Sequence, residues 1–135
     1  MRYPKKKAPN PMLQIHKMKH YGYEFTWQSG KNQSFTILIK LRPKEASQTY
    51  QVKISFGIGQ IPKAFVTSPQ LKRGSPHTYP DGSLCLYHPD DFNWTDDKAL
   101  ADWIVPWIAA WLFFYEGWLE TGIWYGEEAP HDRSK

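Results

Sequence analysis

The sequence predicts an α+β fold, in which a four-stranded antiparallel meander is followed by an irregular loop and then by C-terminal helices. Three observations carry that expectation. Aromatic and β-branched residues in strand-like runs are confined to the first half of the chain. A stretch from Leu71 to Trp94 dissolves into Gly, Pro, Ser and Asp without clear periodicity. From Thr95 onward the apolar residues recur at helical spacing.

At 135 residues and 15.8 kDa the chain is sized for one domain with one core. Its opening, "MRYPKKKAPNP", is basic with no apolar run behind it, which does not read as a signal peptide. Residues 1–20 are expected to be a basic, partly irregular segment with little helix signal before the first strand. His16 and His20 stand four apart and read as solvent-facing. Residues 21–131 form the expected domain and 132–135 a polar tail.

Tyr21–Trp27 and Ser34–Leu41, separated by the turn-like "QSGKNQ", read as a hairpin. In "TYQVKISF" the residues Tyr50, Val52, Ile54 and Phe56 alternate with Gln51, Lys53 and Ser55, the signature of a strand buried on one face. "KAFVTSPQL" supplies a fourth strand ending near Pro69, whose missing amide donor suits a terminus.

The loop that follows carries aromatic and apolar residues (Tyr79, Leu84, Leu86, Tyr87) and is expected to pack down rather than hang free. Thr95 is expected to cap a helix with Asp96 and Asp97 in its first turn. Leu100, Trp103 and Ile104 read as one apolar face. Pro106 predicts a break and a second helix, along which Trp107, Ile108, Trp111, Leu112, Tyr115, Trp118 and Leu119 recur before Gly122 stops it. Aromatic residues at this spacing read as core and as cover for the loop, and the tail is expected to fray beyond His131.

Charge is unevenly spread. The first 73 residues hold 14 Lys/Arg against 2 Asp/Glu, and the remainder 3 against 11, within a net charge of +4. The basic half is strand-rich and carries no nucleic-acid motif, so a solvated face is expected and no nucleic-acid partner. The most apolar run, Trp103–Tyr115, is 13 residues long. That is short of the roughly 20 that span a bilayer, so no membrane partner is expected. One cysteine permits no internal disulfide, which fits a cytoplasmic protein.

That cysteine, Cys85 in "HTYPDGSLCLYHP", admits three readings. It can be a small hydrophobe in a core, since free cysteines are among the most buried residues. It can be a metal ligand with His77, His88 and His131, although the spacing is that of no recognised zinc module and no metal or cofactor is expected. It can be a nucleophile, because even a small thiolate fraction attacks carbonyl carbon readily. A papain-like site would place it at a helix start, whereas Cys85 follows a turn.

The order of four strands, the proline-punctuated exit "IPKAFVTSPQL", then a histidine, a glycine turn and "LCL", then helices, resembles the ubiquitin-conjugating enzyme (UBC) fold. The resemblance spans about Tyr21 to His131. The ending "WLFFYEGWLETGIWYGEEAPH" looks like the bacterial branch found in cyclic-oligonucleotide anti-phage signalling (CBASS) operons. It implies that Cys85 is the thioester-forming cysteine and His77 the histidine of the family's His-Pro-Asn element. Thr78 and Tyr79 stand where Pro and Asn are usual, leaving backbone amides, Asn93 or Tyr79 as alternatives for oxyanion support.

His131, or else His88, is the candidate base for the attacking nucleophile. Asp90 and Asp91 are candidates to orient an incoming lysine, and Trp94 to wall the acyl-peptide groove. The implied partner is a cGAS-like nucleotidyltransferase offering its C-terminal tail, with either a separate activating enzyme or a reduced version of the pathway. The competing expectation is a non-catalytic adaptor of the same fold that binds a partner's tail.

Overall fold

The computed structural model describes residues 11–57, 60–88, 90–95 and 97–126. In chain order they form helix α1 (Pro11–His20), strands β1 (Glu24–Ser29), β2 (Phe35–Leu41), β3 (Tyr50–Phe56) and β4 (Lys63–Ser68), and helix α2 (Leu100–Thr121). The sheet order is β1-β2-β3-β4 with every neighbouring pair antiparallel. The meander is the one the sequence predicts, and the α+β arrangement is compatible with a UBC-like fold.

Alternation in β3 falls as expected: Tyr50, Val52 and Ile54 are fully buried and Phe56 nearly so. Ile37, Ile39 and Leu41 of β2 join them, and α2 covers this face with Leu100, Ile104, Val105, Ile108 and Leu112. Each such aliphatic side chain contributes on the order of 1.5–3 kcal/mol by leaving water. β1 is the exposed edge. It begins at Glu24 rather than Tyr21 because α1 ends in a left-handed Gly22 (φ 77°), with the Gly22 and Tyr23 amides returning to the Lys19 and Met18 carbonyls.

Three expectations need correction. A helix, α1, stands where little helix signal was legible. It carries as many polar residues as apolar ones, and it is held by tertiary contact, with Met18 fully buried in the core and Ile15 nearly so. His16 and His20 are exposed on it, as expected.

Thr95 does not cap α2. The helix starts at Leu100 with Ala99 at the cap position and no side-chain cap of its own. Gln14 of α1 supplies the cap from 86 residues away: its Oε1 accepts the Leu100 amide at 2.8 Å, and its Nε2 donates to the Lys98 carbonyl at 3.1 Å. Thr95 instead bonds Asp97 in the turn ahead of the helix, and Asp96 lies outside the described residues.

Pro106 does not divide α2, which runs unbroken from Leu100 to Thr121. The proline faces solvent while Ile104, Val105 and Ile108 pin both flanks to the sheet, so the lost amide bond is absorbed on the open side. Trp103 and Leu119, expected in the apolar stripe, are 40% and 43% exposed. Gly122 ends the helix in the left-handed region (φ 78°), as the sequence indicates.

Toward the far end of the sheet, the loop between β2 and β3 is tied to α2 through one carboxylate. Glu116 accepts hydrogen bonds from Ser47 at 2.6 Å and from the Tyr50 hydroxyl at 2.8 Å. Burial and this carboxylate push the Tyr50 phenol far above its ordinary range, so it remains a donor. Among the described residues no helix is long and apolar enough to cross a membrane.

Candidate active site

Cys85 lies on a miniature hairpin that the loop makes after β4. Thr78 and Leu84 bridge antiparallel, the Cys85 amide donates to the His77 carbonyl at 2.9 Å, and the Tyr79 amide donates to the Ser83 carbonyl at 2.8 Å. A tight turn closes it at Tyr79–Gly82, where Pro80 presets φ and Gly82 takes a positive φ of 91°.

Asp81 fastens this tip. One carboxylate oxygen accepts the Ser83 amide at 2.9 Å and the Ser83 hydroxyl at 2.6 Å, and the other takes Lys63 of β4 at 2.9 Å. The Ser83 hydroxyl, then Lys63, hold the carboxyl well below the usual carboxylate range.

The hairpin is fixed to the body at two further points. The Leu84 amide donates to the Ala64 carbonyl at 2.9 Å, which adds this arm to β4, and the Leu84 side chain is buried in the core. Trp111 of α2 donates its indole N–H to the His77 carbonyl at 3.0 Å. The same carbonyl thus receives both Trp111 and Cys85. Upstream, the Tyr115 hydroxyl accepts the Lys72 amide at 2.9 Å.

His77 adopts a left-handed backbone (φ 56°), rare for a residue with a side chain, and its imidazole packs on Trp124 at 4.8 Å. Trp124 in turn meets Trp111 at 5.3 Å and Phe114 at 6.1 Å. Gly126 lies so close to Phe114 that an added Cβ would stand 2.6 Å from its ring, which explains a glycine there. Of the aromatic residues in the helical half, Trp111 and Tyr115 are core and Trp107, Trp118 and Trp124 pack against it, whereas Trp103 and Phe113 are exposed.

Cys85 itself is a thiol outside any disulfide, 7% exposed. Its polar companion is Tyr79. Burial, and then electrostatic and hydrogen-bond coupling to Cys85, raise the Tyr79 phenol above its ordinary value. Tyr79 therefore stays protonated at neutral pH and offers its O–H toward the sulfur, while 40% of the residue remains exposed.

The structure brings Cys85, Tyr79 and the backbone of His77 together. The remaining candidates are placed differently. The His88 ring nitrogen accepts the Asp90 amide at 3.0 Å, so it caps its own turn, with the Asp90 carboxylate 3.4 Å away. Asp90, Asp91 and Asn93 are exposed, and Trp94 packs partly buried against the core. His131 lies outside the described residues. Among the described residues no group of three His, Cys, Asp or Glu side chains gathers as a metal site would require.

Four contributors were not singled out from the sequence. Asp81 and Ser83 carried a legible signal, since "PDGS" is a turn whose aspartate bonds the backbone two residues on. Lys63 and Trp111 carried none, because their roles depend on partners 18 and 34 residues away. Tyr87 is a further one: it packs on Phe92 at 5.0 Å and Trp107 at 5.2 Å, and its buried hydroxyl has no hydrogen-bond partner among the described residues.

A family model described as "Type II CBASS E2 protein" matches residues 14–132 of the chain. The chain belongs to this family. A search of curated proteins finds no match. The match begins inside α1 and takes in Cys85 and its hairpin.

Proposed function

We propose that this CBASS E2-like protein is a cysteine-dependent acyl transferase that holds the C-terminus of another protein as a thioester on Cys85. The observation that carries the reading is the Tyr79 hydroxyl at the Cys85 sulfur, on a hairpin fixed to the core by Trp111, Leu84 and Asp81. The donor is a cGAS-like nucleotidyltransferase of the same system, whose carboxyl group arrives already activated by a separate enzyme.

The Cys85 thiolate attacks the activated carbonyl carbon and forms a C–S bond. The electron pair moves onto the carbonyl oxygen, and collapse of the tetrahedral intermediate expels the activating group. An amine then attacks the thioester, loses its proton to a base, and releases Cys85 as thiolate. His131 is the proposed base. Both steps develop an oxyanion, for which one preorganised donor is worth about 3 kcal/mol in enzymes where it has been removed. Tyr79 is the proposed donor, in place of Asn93, because its phenol is already beside the sulfur and stays protonated. His77 serves through its backbone, presenting Cys85 rather than acting on substrate. His88, Asp90 and Trp94 flank the route by which the acceptor approaches.

One observation favours the alternative, a non-catalytic adaptor that only binds a partner's tail: Cys85 is 7% exposed, which suits an inert thiol. The Cys85→Ser variant separates the two. In the transferase reading the introduced hydroxyl traps the partner's C-terminus as an oxyester stable to reductant, resolved as a covalent band. An adaptor gives no covalent product and binds its partner equally with serine, alanine or cysteine at this position.

A further inference from the structure

We propose that a cavity on the flank of the Cys85 hairpin selects the acyl donor by an apolar side chain two to four residues before its C-terminus. The inference rests on the thioester reading above and names the class of substrate. The cavity is about 450 Å³, within the range of pockets that enclose small ligands. Its walls are mainly apolar: Ile61, Pro62, Tyr79, Leu84, Leu86 and Tyr87.

Tyr79 is the shared wall, with its ring lining the cavity and its hydroxyl at the Cys85 sulfur. A peptide bound through its terminal carbonyl to Cys85 therefore passes this ring within a few residues, at about 3.3–3.6 Å per extended residue. A small residue joined to sulfur fits best, because Cys85 is only 7% exposed.

Two features favour a donor peptide over an acceptor lysine. The one carboxylate on the wall, Asp81, is already engaged by Lys63 and Ser83, so no uncompensated charge awaits an ammonium. The Tyr87 hydroxyl on the same wall is buried and without a partner among the described residues, a donor and acceptor that a peptide group satisfies once the ring turns toward the cavity. Ile61, 54% exposed at the rim, is an apolar side chain that an occupant would cover.

The test uses synthetic peptide thioesters ending in glycine, with Leu, Phe or Asp placed in turn at the second, third and fourth positions from the end. Transfer to Cys85 is timed by intact mass. At one of these positions Leu or Phe is expected to charge the protein about tenfold or more faster than Asp, the scale on which apolar pockets discriminate. Ile61→Asp, a surface change that leaves the melting temperature unaltered, erases that preference. Tyr87→Phe raises the melting temperature slightly and slows charging several-fold, opposite signs that a purely structural hydroxyl does not produce.

Equal charging by Leu and Asp peptides at all three positions overturns the proposal while leaving the thioester reading intact. So does an Ile61→Asp protein that charges normally but passes its acyl group to lysine more slowly, since the pocket then serves the acceptor. If no peptide charges a Cys85 that iodoacetamide still alkylates, the thioester reading fails and the pocket's role fails with it.

Discussion

The sheet-and-helix body and the Cys85 hairpin are built by different forces. The body is a continuous apolar contact in which Val52, Ile54, Ile104, Ile108 and Leu112 are fully buried. Its stability is spread over many side chains, none indispensable to geometry. The hairpin has few buried apolar residues and is positioned by a handful of directional bonds: Trp111 to the His77 carbonyl, Leu84 to Ala64, and Asp81 to Ser83 and Lys63. The difference means that substitutions in the body should cost stability first, and substitutions at the hairpin should cost reactivity first.

Ile104→Ala provides the largest expected effect. Deleting a fully buried aliphatic side chain should destabilise the protein by about 2–5 kcal/mol in denaturant titration. The fraction that stays folded should alkylate at Cys85 at the parent rate. A loss of reactivity in that fraction would show the two regions to be one mechanical unit.

Tyr79→Phe should do the reverse. It keeps the ring and removes the hydroxyl at the sulfur, so acyl transfer should slow by about a hundredfold, equivalent to about 2.7 kcal/mol of barrier, with little change in melting temperature. Trp111→Phe tests the join between the regions. Losing the indole donor should cost about 1 kcal/mol in stability, and should slow charging of Cys85 because the His77 carbonyl keeps only the Cys85 amide.

Asp81→Asn should have the smallest effect on stability. The Asp81 carboxyl is held below its unfolded value, so its contribution is present above about pH 4 and fades as pH falls through the lower folded value. The exposed ion pair limits the size of that contribution. The variant should therefore show a flatter acid limb in a plot of melting temperature against pH.

The same division decides what was legible in the sequence. Strand order and the buried face of β3 followed from the alternation of Tyr50, Val52, Ile54 and Phe56, a local property of the chain. The stop at Gly122 was equally local. What could not be read depended on distant partners. Gln14, a polar residue in an unremarkable basic segment, caps α2 across 86 residues, and so both α1 and the true start of α2 were hidden. Pro106 misled because the helix propensity rule describes an isolated helix, whereas here the sheet holds both flanks.

At the site, the motif around Cys85 was readable and its companions only in part. Tyr79 was one of three alternatives for oxyanion support, and only the hairpin's closure brings its hydroxyl to the sulfur. His88 was a candidate base or a cap for the loop, and its ring nitrogen accepts the Asp90 amide. Trp111 carried no signal beyond helical spacing, because a tryptophan that donates to a loop carbonyl has the same pattern as one that merely fills a core.

The most direct test of the central claim is intact-mass spectrometry of the protein purified together with the other components of its defence system, before and after hydroxylamine. A protein adduct mapped to Cys85 is expected, one that hydroxylamine removes and that is absent from Cys85→Ala, whose fold and partner binding are otherwise unchanged. A Cys85 that carries no adduct and also resists alkylation in the folded protein would contradict it and leave partner binding as the function of the fold.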